Sequence, residues 1–227
     1  MALILILSSA ETLLRLFPIT TLIPHNYHWT LLENALRSDT VSPFVPILAV
    51  LPFSACYIDD LKSKFARYVL VRCGNRAYLF SRICVCFLSG GLIIITGILA
   101  AAGLAAIVFI PLEQESMGDS SDSVQNLGKF LCLYFITGGF WSVVGMAMST
   151  LMESKYISYA TPFVFYYLLV ILYERYFSDL FIIYPKTWTD PATWPYSCWG
   201  AAIFLLEMTL VFAILFAFRA GRRLQQL

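Results

Sequence analysis

The sequence predicts an all-α fold: a polytopic membrane protein with about six transmembrane helices, one transmembrane domain over residues 1–227, and both termini in the cytoplasm. Three observations predict it. A chain that is 59% hydrophobic and 13% charged over 227 residues, with mean hydropathy +0.76, has too little polar surface to coat a soluble globule of its size. Its apolar residues gather into stretches near the length of about 20 that crosses a hydrocarbon core of about 30 Å. Between those stretches, the basic residues fall mostly on one side.

Residues 2–24 form the first expected span. Its opening, MALILILSSA, joins an apolar run to small residues as a signal peptide does. No basic segment precedes it, however, and the apolar pattern continues to Ile23, so a retained helix is expected. The second span, 43–58, is short and carries Pro43, Pro46 and Pro52, which withhold backbone donors; a kinked or broken element is expected. The third, 78–109, would be about 48 Å long as a helix, well over the core thickness. It has to tilt, bend near Gly90-Gly91, or extend beyond the bilayer. The remaining spans are read at 130–150, 157–177 and 197–218.

Small residues recur at close-packing spacing in the third and fourth spans: Gly97, Gly103, Gly138, Ser142, Gly145 and Ser149. They let backbones approach, within the chain or at a dimer seam, with packing inside the chain the expected use. Residues 178–196, with Tyr184, Trp188 and Trp194 among prolines, are too apolar for a solvated loop and too broken for a span. Two readings stand there: a short re-entrant or interfacial element on the outer face, or an ordinary loop with aromatic anchors. The outer segment Glu115–Asn126, with four serines and two aspartates, is expected to be a mobile loop.

With the segment 59–82 inside, the intracellular stretches hold Lys62, Lys64, Arg67, Arg72, Arg76, Arg82, Lys155, Arg219, Arg222 and Arg223. The other side holds Arg37, Lys129, Arg175 and Lys186. This skew sets the orientation. The acids Glu113, Glu115, Asp119 and Asp122 share one outer loop. Cys56, Cys73, Cys84, Cys86, Cys132 and Cys198 lack CxxC spacing and are read as free thiols, with a Cys132–Cys198 bridge the one alternative.

Charge inside a span is costly, which makes Glu11, Arg15 and Glu207 candidates for function. Glu11 and Arg15 lie four apart on one helical face, acid first, the favourable order for an ion pair. Structural pairing and a place on a transport path are both open for these three. Phe163, Tyr166, Tyr167 and Tyr173 give the fifth span an aromatic face, for core or lipid packing or for contact with an amphipathic substrate. His25 and His28 make an HxxH without a third ligand, a weak metal signal read as headgroup-level polar residues. No GxxxxGK[ST], HExxH or GxSxG occurs, so no catalytic residue, no metal site and no cofactor of its own is assigned to the chain, and no partnership with nucleic acid.

In the long basic segment, Leu61, Phe65, Tyr68, Val69 and Arg72 recur at steps of three and four, an amphipathic helix ending at a Gly74-Asn75 turn. Such a helix suits anionic headgroups or a protein partner. The runs Leu51-Pro52-Phe53-Ser54, Tyr57-Ile58-Asp59-Asp60, Arg67-Tyr68-Val69-Leu70-Val71-Arg72 and Arg76-Ala77-Tyr78-Leu79-Phe80-Ser81-Arg82 resemble the signature region of ABC-2 type permeases. These are the membrane subunits of bacterial ABC exporters. Lys64 stands where many members have Gly, and Cys73-Gly74-Asn75 replaces the frequent Pro-x-Ser.

The resemblance implies the ABC-2 permease fold, with residues 59–77 as a coupling helix received by a separate nucleotide-binding ATPase subunit that holds ATP and Mg. Asp59, Asp60, Lys62, Lys64, Arg67, Arg72 and Arg76 would carry that contact. It implies a second permease, identical or paralogous, a substrate path along the second and fifth spans, and a bacterial plasma-membrane location. The cargo class stays open among peptides, antibiotics and lipid-like molecules. The alternatives are a non-transporting scaffold that recruits a cytoplasmic protein or anionic lipid, and a small intramembrane enzyme using Glu207 or His25.

Overall fold

Apolar stretches with few breakers become long helices here, and Pro43 and Pro52 fall where a helix stops, though Pro162 is carried inside one. The computed structural model describes residues 27–38, 40–109, 121–152, 154–177, 179–190, 194 and 198–224. The expected first span at 2–24, with Glu11 and Arg15, and His25 lie outside the described residues.

The described residues form α1 (Tyr27–Arg37), α2 (Phe44–Val50), α3 (Cys56–Lys62), α4 (Phe65–Cys73), α5 (Asn75–Phe109), α6 (Ser121–Met152), α7 (Lys155–Arg175) and α8 (Cys198–Leu224). Two short 3-10 turns, Phe181–Ile183 and Pro185–Trp188, precede α8. No strand occurs among the described residues. Among the described residues, four helices are long and apolar enough to cross a membrane: α5, α6 from Gly128, α7 and α8.

The expected span at 43–58 is not one helix. Pro43 and Pro52 bracket the short α2, and a run of turns over 51–55 leads into α3. The expected coupling helix at 59–77 is likewise divided. Lys64 adopts a left-handed conformation, φ 61°, between α3 and α4, and Gly74, φ 71°, separates α4 from α5. α5 runs as one continuous helix through Gly90-Gly91. α6 begins at Ser121 rather than 130, because Val124, Leu127 and Leu131 continue the helical spacing. Part of the segment expected as a loop over 115–126 is therefore helix.

α6 lies at the centre, buried along most of its spanning length, while α5, α7 and α8 turn broad apolar faces outward. Small residues make this possible. A Cβ on Gly90 would sit 2.5 Å from the Cβ of Ser142, and one on Gly138 would sit 2.7 Å from the Gly90 carbonyl oxygen. The α5 and α6 backbones therefore touch, which is how helices gain dispersion contact where water supplies no driving force. Gly138, Ser142 and Gly145 serve packing within the chain. Gly103 is exposed with nothing near it.

The core has two parts. One gathers Leu133, Phe140, Trp141, Tyr166, Trp188 and Trp194 toward the end that carries the 3-10 turns. The other gathers Tyr57, Ile58, Ala66, Tyr78, Leu79 and Phe216 at the end that carries α3 and α4. These are called the aromatic end and the basic end below.

Candidate functional site

At the basic end, α3 sets two consecutive carboxylates on different sides of the helix, 100° apart. Asp60 turns inward. It accepts a hydrogen bond of 2.6 Å from the Tyr78 hydroxyl and pairs with the Arg82 guanidinium. Arg82 also donates to the Cys56 sulfur at 3.1 Å and lies 5.2 Å from the Tyr78 ring centroid. Tyr78 and Arg82 are four apart on α5, so one helical face supplies both partners. Asp59 turns outward and pairs with Lys155, the first residue of α7. α3 is therefore clamped to α5 by a buried pair and to α7 by an exposed one.

Lys62, Lys64, Arg72 and Arg76 all point into solvent. Between them α4 presents Phe65, Tyr68 and Val71, the last two 75% and 88% exposed. Its inner side, Ala66 with Val69 and Leu70, packs on the basic-end core. Of the partner-binding residues expected from sequence, the structure makes Asp59 and Asp60 internal anchors and leaves the four cations outward. The Arg67 side chain lies outside the described residues. Tyr78, Cys56 and Lys155 were not singled out from sequence; the signal for Tyr78 was its i,i+4 spacing to Arg82.

The expected aromatic face of the fifth span divides in two. Phe163 and Tyr167 point outward, ring centroids 4.8 Å apart, over a shallow apolar groove with Val164, Leu168 and Ile171. Tyr166 points inward and shares a buried hydrogen bond of 2.7 Å with Ser42. Tyr173 stacks on Tyr184 at 4.6 Å, under the 3-10 turns. Burial, then the charge of Glu174, pushes the Tyr184 phenol above its usual pKa. The cause is the helical step: 163 and 167 share a face, and 166 lies 100° from 167. The four residues do not line one path.

The 3-10 turns dip into the bundle. Trp188 stacks on Trp141 at 5.9 Å and meets Phe140 at 5.5 Å, while its indole donates to the Ile182 carbonyl at 2.8 Å. Trp194 donates to the Thr187 carbonyl at 2.7 Å and packs on Phe181 and Phe204. Beside these turns, Arg37 pairs with Glu33 at 2.9 Å and with Asp190 at 3.8 Å, over the ring of Phe130. Cys132 and Cys198 are free thiols, as are the other four cysteines.

A family model described as a protein of unknown function, DUF2705, matches residues 3–190. The chain belongs to this family. The matched region takes in the basic segment, the clamp at Asp60 and the inserted 3-10 turns, and stops short of α8. No curated protein and no solved structure matches the chain.

Proposed function

We propose that this chain is the membrane-spanning permease subunit of a bacterial ATP-binding-cassette exporter, a six-span protein of ABC-2 type in the plasma membrane. A separate ATPase subunit binds ATP and Mg and docks on α4. The single observation that carries this reading is the outward face of α4, where Phe65, Tyr68 and Val71 stand exposed among Lys62, Lys64, Arg72 and Arg76. Burying a large apolar side chain is worth about 2 kcal/mol, so three of them on one helical face favour a partner over water. The surrounding cations suit a groove with an acidic rim. This mixture of apolar centre and charged rim supports protein docking more than headgroup adhesion alone.

In this reading, ATP-driven closure of the ATPase pair pushes on α4. The Asp60–Arg82 clamp passes the displacement to α5, and the Asp59–Lys155 pair passes it to the outward face of α7. ATP shifts the population because it binds the closed ATPase pair more tightly than the open one. A second permease, identical or paralogous, completes the membrane part. The cargo is a peptide, an antibiotic or a lipid-like molecule.

The test is the complex purified with its ATPase and reconstituted in liposomes. Tyr68→Ala with Val71→Ala, and separately Arg72→Glu, should abolish stimulation of ATP hydrolysis by the membrane subunit while the permease keeps its melting midpoint. If no nucleotide-binding subunit co-purifies, and both variants behave as wild type, the exporter reading fails.

A further inference from the structure

Two ionisable residues of the bundle stand in contrasting settings. Glu207 is exposed on the outward face of α8 between Ile203 and Leu210, and forms no ion pair among the described residues. Arg37 ends α1 beside a cavity at the aromatic end, where groups of both signs converge. The cavity measures about 210 Å³, roughly seven water volumes. Arg37, Lys186, Asp190, Ser42, Phe130 and Tyr184 are among the residues that line it.

The helices that frame the cavity set its depth. The spanning part of α6 begins at Gly128, two residues before Phe130. That of α7 ends at Arg175, two residues after Tyr173, on which Tyr184 stacks. Two residues separate α6 from α7, so the start of one and the end of the other lie on the same side. Two residues are about 3 Å of helix, so the cavity opens where hydrocarbon gives way to headgroups. Its walls are fastened before any ligand arrives. The Tyr134 hydroxyl donates to the Leu36 carbonyl at 2.6 Å, Ser42 is bonded to Tyr166, and the Thr187 hydroxyl donates to the Tyr184 carbonyl at 2.8 Å.

The charges are balanced there without being used up. Arg37 donates to Glu33 at 2.9 Å and stands 3.8 Å from Asp190, beyond hydrogen-bond reach. A guanidinium carries five donors in a fixed fork, so most of those of Arg37 are unspent. With Lys186, two cations stand against two carboxylates, and the group is neutral with its charges apart. A zwitterion matches it, and a planar guanidinium beside an ammonium suits a phosphate at the anionic end. The cationic end faces Asp190, a hydrogen-bond acceptor. A quaternary ammonium would need aromatic faces, but Phe130 already carries Arg37 and Tyr184 already carries Tyr173. A primary ammonium fits better.

We propose that this cavity binds a phosphoethanolamine group carried by a phospholipid, with the phosphate on Arg37 and Lys186 and the ammonium on Asp190. The group has about eight non-hydrogen atoms, in keeping with a space of roughly seven waters. The depth of the cavity makes a lipid the carrier. The inference rests on the chain being embedded in a membrane and is independent of the exporter reading.

The full-length chain, stripped of lipid in detergent and titrated with short-chain phospholipids, tests it through the rise in melting midpoint. Phosphatidylethanolamine should act at concentrations at least about tenfold lower than phosphatidylcholine or phosphatidylglycerol. Arg37→Met should weaken that response by about tenfold or more. Because Arg37 also holds Glu33, Lys186→Met is the second variant: the same midpoint as wild type without lipid, and a severalfold weaker response with it. Asp190→Asn should still respond to phospholipid but lose the preference for ethanolamine over glycerol headgroups. Soluble phosphoethanolamine acting as strongly as the lipid would uphold the site and overturn the lipid as its carrier. Equal responses to all three phospholipids, or variants that respond as wild type does, overturn the proposal. No readout involves an ATPase, so failure of the exporter reading leaves these outcomes unchanged.

Discussion

The basic end and the aromatic end close the same bundle by opposite means. At the basic end, α3 is fastened by two carboxylates, one to a guanidinium and a phenol, the other to an ammonium. At the aromatic end, the 3-10 turns are fastened by rings: Trp188 and Trp194 lie among Phe140, Trp141, Phe181 and Phe204. Ion pairs have few partners and fail when one is lost, whereas ring packing spreads over many contacts and ignores salt. An end that must receive a push and move as a unit is better served by the first. An end that must stay shut to water is better served by the second.

The largest effect is expected at the aromatic end. Trp188→Ala empties a buried site between α6 and α8 and should cost about 4 kcal/mol. A lower melting midpoint in detergent, equal at low and high salt, would show packing as the cause. Marked salt dependence would contradict the comparison.

Asp60→Asn comes next. It leaves the Arg82 guanidinium half-buried without its counter-charge, for which about 3 kcal/mol is expected, the low end of the range because Arg82 retains some contact with solvent. The double variant Asp60→Leu with Arg82→Met should recover most of the loss. If it does not, the clamp is more than a compensated charge pair.

Much of this architecture was readable in the chain. The helices from α5 onward follow hydrophobic runs, the break at 51–55 follows Pro52, and the turn at Gly74 follows from the residue that fills it. The inward turn of Asp60 was not readable, because its partners lie 18 and 22 residues away and nothing local distinguishes it from Asp59. The outward face of α4 was hidden for a different reason. Its apolar spacing marks Phe65 and Tyr68, which a one-sided helix would bury, whereas the structure buries Ala66. Spacing names a face; only packing says where it points.

Lys64 is a smaller case with the opposite sign. The left-handed conformation at φ 61° costs a residue with a Cβ about 1 kcal/mol, and glycine recovers that at the expense of roughly half as much in unfolded-chain entropy. Lys64→Gly should therefore stabilise the chain by about 0.5 kcal/mol, seen as a slightly higher melting midpoint. Lys64→Ala should show no such gain, since alanine keeps the strained Cβ.

The smallest expected change in stability is the most useful for the comparison. Asp59 and Lys155 are both substantially exposed, so their pairing is screened by salt and offset by the ordering of two flexible side chains. Lys155→Met should leave the melting midpoint where it is. Its effect, if α3 transmits a push to α7, belongs in the stimulation of ATP hydrolysis: lost in Lys155→Met, and restored in the charge swap Asp59→Lys with Lys155→Asp. A midpoint that falls would make the pair a fastener like Asp60–Arg82. An unchanged midpoint with unchanged stimulation would mean that the push does not pass through Asp59–Lys155, and would move its expected output from α7 to α5.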